Sequence, residues 1–349
     1  MWRRQFRFVG SSAKALIRFC FAVRGKEVDR MMKGAFLLLG LTALAGPGST
    51  EERVWRLGVL TPLDWRASST NSILIPELAR RGFVEGRNLI VLPRGGSNTD
   101  LDKLTLLAQD LATAQPDVIV AVSPNAVLAA IKAAPRTPIV ASFTSDPVRE
   151  GVAASLSRPG GSVTGIAMLA FEGDKKRIEL LHEAIPAARK FGFLADQLGL
   201  TYADEYRRTA ASLGFEVAFF AASSEADYEP IFDAMRAASV EGVIIQSSPV
   251  FRHDATRLAG LAADRRLPTI CEWQDMASAG CMIGYGPDIA ELAVRAADFV
   301  VRLFAGGKPG EMPFEQPTHF AMAINSKVAR NIGVIVPESL FVRADEVIE

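Results

Sequence analysis

Cysteine, histidine and net charge are all scarce in this 349-residue chain, and each scarcity excludes a class of function. Three cysteines rule out a disulfide-built scaffold, and one of them, Cys20, lies near the start. Cys271 and Cys281 sit in apolar runs, which reads first as two buried small residues and second as a bridge in an oxidising compartment. The three histidines, His182, His253 and His319, are too widely spaced to form paired zinc ligands. Lys plus Arg number 39 and Asp plus Glu 39, so the formal net charge is zero and no basic field exists to hold nucleic acid. Enzymatic signatures are missing too. There is no G-x-S-x-G elbow and no Walker A run; GGSVTG (Gly160 to Gly165) fails the first pattern, and GYGPDI (Gly284 to Ile289) lacks the third glycine of a dinucleotide fingerprint. No enzymatic activity, cofactor or metal is expected.

Long apolar runs are lacking as well. AFLLLGLTALA (Ala35 to Ala45) is about half of what a membrane-spanning helix requires. With Lys33 before it and Ala43-Leu44-Ala45 before GPGST, the run has the parts of a secretory signal, with cleavage expected after Ala45. The basic excess of residues 1–33 then belongs to a leader, not to a binding face. Met31 or Met32 is a conventional start for such a signal, which leaves residues 1–30 as an over-long start or an extension. Export to the periplasm is the expectation; the competing reading is a buried helix of a cytosolic protein.

What is present is apolar material, 49% of the chain, enough for more than one average domain. From Trp55 onward, short β-rich runs alternate with helix-length segments. The first set is RLGVL (56–60), NLIVLP (88–93), DVIVAV (117–122) and PIVASF (138–143). A second begins at KFGFLAD (190–196) and continues through EVAFFAA, GVIIQSS, PTICE and CMIGYG. This β-α-β rhythm predicts an α/β fold of two Rossmann-like lobes with parallel sheets. The first crossing is placed at Val163–Gly165 and a second near Gly284–Asp288. The lobes are expected to comprise residues 54–164 plus 288–349 and residues 165–287, with the run FAMAIN (320–325) in the first.

A regularity follows several strands: Thr61-Pro62, Ser123-Pro124, Ser145-Asp146-Pro147 and Ser248-Pro249. A hydroxyl or carboxylate followed by proline starts helices, and the carboxyl ends of parallel strands face the binding crevice. Helix starts such as Asn125-Ala126 offer backbone N–H groups to an anion, while Asp146 suits an ammonium or hydroxyl group. Further crevice candidates are Asp64, Trp65, Thr164, Asp196, Glu272, Trp273 and Asp288. Each has a plainer alternative: Asp196 and Asp288 as turn or cap residues, Trp273 as a core aromatic.

Six segments are more specific: GFVEGRNL (82–89), SDPVREGVAASLSRPGGSVTG (145–165), KKRIELLHEAIP (175–186), GYGPD (284–288), QPTHFAMAINSKVARNIGV (316–334) and VPESLFVRADEVIE (336–349). In them the chain resembles the periplasmic substrate-binding proteins of ABC transporters, in the group with tryptophan- and phenylalanine-binding members. The resemblance runs from about Arg56 to the C-terminus. It implies a type I periplasmic-binding fold, a ligand held between lobes, and delivery to a permease and its ATPase. It also puts ligand loops at Ser123 to Asn125, Ser145-Asp146, Thr164, Asp196, Ser248 and Asp288. Two segments depart from the family pattern: ADQLGLTYADEY (195–206) replaces an Asn-Pro-rich loop, and SPNA (123–126) a Gly/Thr-rich one. The expected function is a monomeric, exported receptor for a small polar organic solute, an amino acid or another small carboxylate. An enzyme on the same scaffold and a ligand-binding sensory module are the rivals.

Overall fold

The computed structural model describes residues 53–68, 70–96, 100–197 and 199–349. The expected leader and cleavage position, Met31, Met32 and Cys20 lie outside the described residues. Among the described residues no helix is long and apolar enough to cross a membrane.

Five parallel strands form the first sheet: β1 (Trp55–Leu60), β2 (Leu89–Arg94), β3 (Val118–Val122), β4 (Ile139–Phe143) and β5 (Val163–Ala167), in the order β2-β1-β3-β4-β5. Near-continuous apolar runs form these strands because both faces are covered. On one face Leu104, Ala108 and Leu111 of α2 (Leu101–Thr113) and Val127 of α3 (Pro124–Ala133) meet Ile119, Ala121 and Ile139. α1 (Ile75–Arg80) is a short helix between β1 and β2, and its Leu78 belongs to the core of the opposite face.

The second sheet holds β6 (Lys190–Ala195), β7 (Glu216–Ala221), β8 (Gly242–Ile245), β9 (Thr269–Cys271), β10 (Ile283–Pro287), β11 (Phe320–Asn325) and β12 (Glu346–Ile348). Its order is β12-β11-β10-β9-β8-β6-β7, and only the β10–β11 pair is antiparallel. Its faces are covered by α4 (Ala170–Ala184) and α5 (Ala203–Ser212) on one side, and by α6 (Tyr228–Ala237) and α8 (Ala255–Asp264) on the other. Short helices α7 (Pro249–His253) and α9 (Gln274–Ser278) follow β8 and β9.

The parallel two-sheet α/β class agrees with the sequence reading; two details of its chain path do not. FAMAIN, expected in the first lobe, pairs with β10, Ile324 opposite Ile283 and Met322 opposite Tyr285. Met322 and Ile324 join the core of Phe193 and Ile244, so the tail completes the second lobe. What returns to the first lobe is α10 (Ile289–Phe304), whose Leu292, Ala296, Phe299, Val300 and Leu303 pack on Leu57, Val59 and Val120. The first crossing also moves. Val163 to Gly165 lies inside β5, where Gly165 takes φ +134° and a Cβ would stand 2.3 Å from the Ala141 carbonyl oxygen, so close strand pairing explains the glycine. The chain crosses at 168–170, again at 287–289, and a third time between Glu315, bridged to Ile166, and β11. After α10 come α11 (Ser326–Ile332) and α12 (Glu338–Arg343).

Cys271 and Cys281, read first as separate buried residues, are bonded. β9 and β10 are neighbours, with Cys271 opposite Gly284, which brings the two thiols together across the α9 turn.

Candidate functional site

The loops that leave the carboxyl ends of β1, β3 and β4 face those that leave β6, β8 and β9, and three adjoining cavities lie between the sheets. Thr144 borders all three. The first is a polar chamber of about 260 Å³, where Ser145, Asp146 and Arg149 of one lobe face Asp174, Tyr202, Glu205, Tyr206, Gln246 and Ser247 of the other. A smaller central gap is lined by Ser123, Asn125, Asp196 and Ser248. The third is an apolar chamber, walled by Leu63, Leu74, Val120, Val122, Ile166 and Met168 on one side and by Pro249, Arg252 and Trp273 on the other.

Six sequence candidates therefore come together in the polar part of the cleft, Ser123, Asn125, Ser145, Asp146, Asp196 and Ser248, and Trp273 lines the apolar chamber. Ser123 caps α3, its hydroxyl accepting from Ala126 N at 3.3 Å. Its φ of +95° is strained for a non-glycine residue and costs on the order of 1–3 kcal/mol. Asp146 accepts from Val148 N at 2.8 Å, and Asp196 from Gly199 N at 2.9 Å. Gly199 belongs there because a Cβ would fall 2.1 Å from Oε1 of Gln246.

Asp64, Trp65, Thr164, Glu272 and Asp288 line none of these cavities. Thr164 is the second residue of β5, far from its carboxyl end, fully buried, and donates to the Met312 carbonyl at 2.8 Å. Asp64 is exposed and accepts from Arg66 N at 2.9 Å, capping the turn Trp65–Ala67. Trp65 packs on the first core, and Asp288 is the exposed cap of α10, accepting from Ala290 N at 2.7 Å.

Behind the polar chamber lies a charged cluster of which the sequence reading had only Glu272. Asp174 and Arg177 are 0% and 1% exposed, with Asp174 Oδ1 accepting from Arg177 Nε at 2.9 Å and Nη2 at 2.6 Å. Tyr206 donates to the other oxygen of Asp174, and Arg177 Nη1 donates to the Tyr285 carbonyl at 3.1 Å. Burial raises the Asp174 carboxyl against the pull of Arg177, and burial followed by the Asp174 charge raises the Tyr206 phenol. Glu272, 1% exposed, is pushed by burial up to about 7, with the Arg177 guanidinium pulling it back. A legible signal did exist: Asp174, Arg177, Ile178 and Leu181 share one helical stripe, so both charges point where the apolar residues point.

Four polar atoms around the cleft are buried without a hydrogen-bond partner of good geometry: Ser145 Oγ, Ser247 Oγ, Glu272 Oε2 and Trp273 Nε1. Ser247 faces Glu272 and eases its charge even so. Ser145 likewise faces the Tyr202 hydroxyl, so the Trp273 N–H stands apart as the donor with no polar side chain set against it. No group of three or more His, Cys, Asp or Glu side chains that could hold a metal occurs among the described residues.

Residues 74–348 match the model of the ABC transporter substrate binding protein family. The chain belongs to that family. This substrate binding protein is 22% identical over 269 residues to the tyrosine-binding protein of Clostridioides difficile (strain R20291), covering 74% of this chain and 75% of the relative. Among solved structures it is similar to a conserved domain protein from Vibrio cholerae, with TM-score 0.78 and 21% identity over 84% of this chain and 100% of the other. It is also similar to a Streptococcus pneumonia ABC domain in complex with L-Trp, with TM-score 0.76 and 20% identity, covering 84% of this chain and 100% of that one. These likenesses agree with the type I periplasmic-binding architecture implied by the six sequence segments.

At the mouth of the polar chamber the two lobes of the substrate binding protein touch directly. Arg149 Nη1 lies 2.5 Å from Glu205 Oε1, the guanidinium sits 4.4 Å over the Tyr202 ring, and Tyr202 donates to Glu150 Oε1 at 3.0 Å. Adjacent residues of one lobe thus clasp one turn of the other. The double variant Tyr202→Phe/Glu205→Gln is expected to open the ligand-free protein, raising its radius of gyration in small-angle scattering; superimposable curves would discard the clasp as a closing contact.

Proposed function

We propose that this protein captures an amino acid between its lobes in the periplasm and, as a monomer, presents the closed complex to a membrane permease and its ATPase. The observation that carries this reading is the pair Ser145 Oγ and Ser247 Oγ, buried polar atoms from opposite lobes that line one chamber and lack good partners. A ligand bonded to both holds them together only in the closed form, and such differential contact is what shifts an open–closed equilibrium. Asp146 supplies a carboxylate for the ligand's ammonium group. The start of α3, with Ser123 and Asn125, faces the ligand's carboxylate. The side chain enters the apolar chamber. Similarity to a protein named for tyrosine and to one crystallised with L-Trp supports an amino acid with a large apolar side chain.

Thermal-shift screening against the proteinogenic amino acids, aromatic acids and sugars tests the reading, because a ligand at 100 times its dissociation constant adds about 2.7 kcal/mol of stability. An amino acid with a large, mainly apolar side chain is expected to give the largest rise. Asp146→Asn keeps the cap on Val148 N and removes the charge, and is expected to weaken that ligand at least about tenfold with little change in the melting temperature of the free protein. Stabilisation by sugars alone, or unchanged affinity of the variant in calorimetry, would overturn it.

A further inference from the structure

Among the polar groups that line the apolar chamber, one buried donor is left without a partner. Thr61 Oγ1 accepts from Leu63 N at 3.3 Å and Ser68 Oγ donates to the Trp65 carbonyl at 2.9 Å, so these wall hydroxyls are occupied. Arg252 is bound to Asp275, with Nε 3.3 Å from Oδ1, so its charge is matched within its own lobe. Trp273 differs. Its indole lines the chamber from the opposite lobe and is 4% exposed, and its Nε1–H has no acceptor. An indole N–H is a donor only, and a buried one normally finds a partner.

We infer that the apolar chamber selects a ligand side chain with an apolar body and one neutral hydrogen-bond acceptor, a hydroxyl or carbonyl oxygen, and that Trp273 Nε1–H is the donor that reads it. This rests on the proposed amino-acid reading of the cleft and deepens it. Because Trp273 arrives from the second lobe, a side chain seated among Leu74, Val120 and Ile166 acquires this bond only as the lobes close. Trp273 is thus a specificity-determining residue as well as a core one. A side chain without the acceptor closes the lobes at the cost of leaving the N–H unpaired.

The test is calorimetric titration of the purified protein with pairs that differ by one hydroxyl: L-tyrosine with L-phenylalanine, and 4-hydroxyphenylacetate with phenylacetate. The hydroxylated member of at least one pair is expected to bind about tenfold tighter, the scale of one neutral hydrogen bond plus the penalty of an unsatisfied donor. In Trp273→Phe, which keeps an aromatic ring, that preference falls to within about twofold while the unhydroxylated partner keeps its affinity within about threefold. Equal binding of both members by the unmodified protein overturns the inference without the variant. So does a preference that survives in the variant, or failure of all four compounds to bind. In that last case, stabilisation by a wholly aliphatic amino acid would still sustain the amino-acid reading, so the two failures are distinguishable.

Discussion

Arg177→Met is expected to lower the unfolding free energy by about 3–5 kcal/mol, the usual consequence of stranding one charge of a buried pair. Asp174 is fully buried and has Tyr206 as its other side-chain partner, and Glu272 also depends on the Arg177 charge. With the guanidinium gone, the Tyr285 and Ala170 carbonyls lose their side-chain donor as well. The double variant Arg177→Met/Asp174→Leu is expected to recover much of the loss, because removing both charges also removes the need to solvate either. Urea unfolding of the three proteins checks this. A loss below about 1 kcal/mol in the single variant, typical of an exposed pair, would show that the cluster is hydrated. The cluster carries the floor of the polar chamber, since Asp174 and Tyr206 both line it, so ligand affinity should fall with the single variant too.

A second large effect concerns pH. The Glu272 carboxyl rises from its ordinary 4.5 to about 7 in the folded protein because burial penalises its charge. Its folded pKa therefore lies above its unfolded pKa. The stabilising effect of keeping it neutral is complete below about 4.5 and is lost as pH rises through about 7, the window in which the unfolded chain releases a proton that the folded protein still holds. At 1.36 kcal/mol per unit, the loss across that window is about 3 kcal/mol. Glu272→Gln stays neutral throughout. The stability of the native protein relative to this variant should thus decline by about 3 kcal/mol from pH 4.5 to pH 8. Parallel stability curves for the two proteins would show that Glu272 ionises normally. Taking the difference between them suppresses the contribution of Asp174, which is raised in both.

The part of the site legible in the sequence is the part set by local rules. Ser123, Ser145 and Ser248 carry hydroxyls just after buried strands, and strand ends in a parallel sheet open on the crevice. The same rule misdirects at Asp64 and Asp288. Both are caps with the right residue type, but their loops turn the carboxylate to solvent. Thr164 was misplaced because β5 runs on to Ala167, which leaves the hydroxyl at the inner part of the strand. Arg177 and Asp174, a pair at i, i+3, went unread, although the stripe they share with Ile178 and Leu181 points inward.

Alternating apolar runs and Ser/Asp-Pro starts were enough to determine a two-lobed α/β protein with its crevice at the strand ends, because period and capping are properties of short segments. The pairing of β11 with β10, the meeting of Arg177 with Glu272, and the choice of the chamber that Trp273 lines were decided by tertiary structure. Each depends on which apolar face finds which partner between segments distant in the chain or between lobes, and a charge or an indole N–H follows the side chains packed around it.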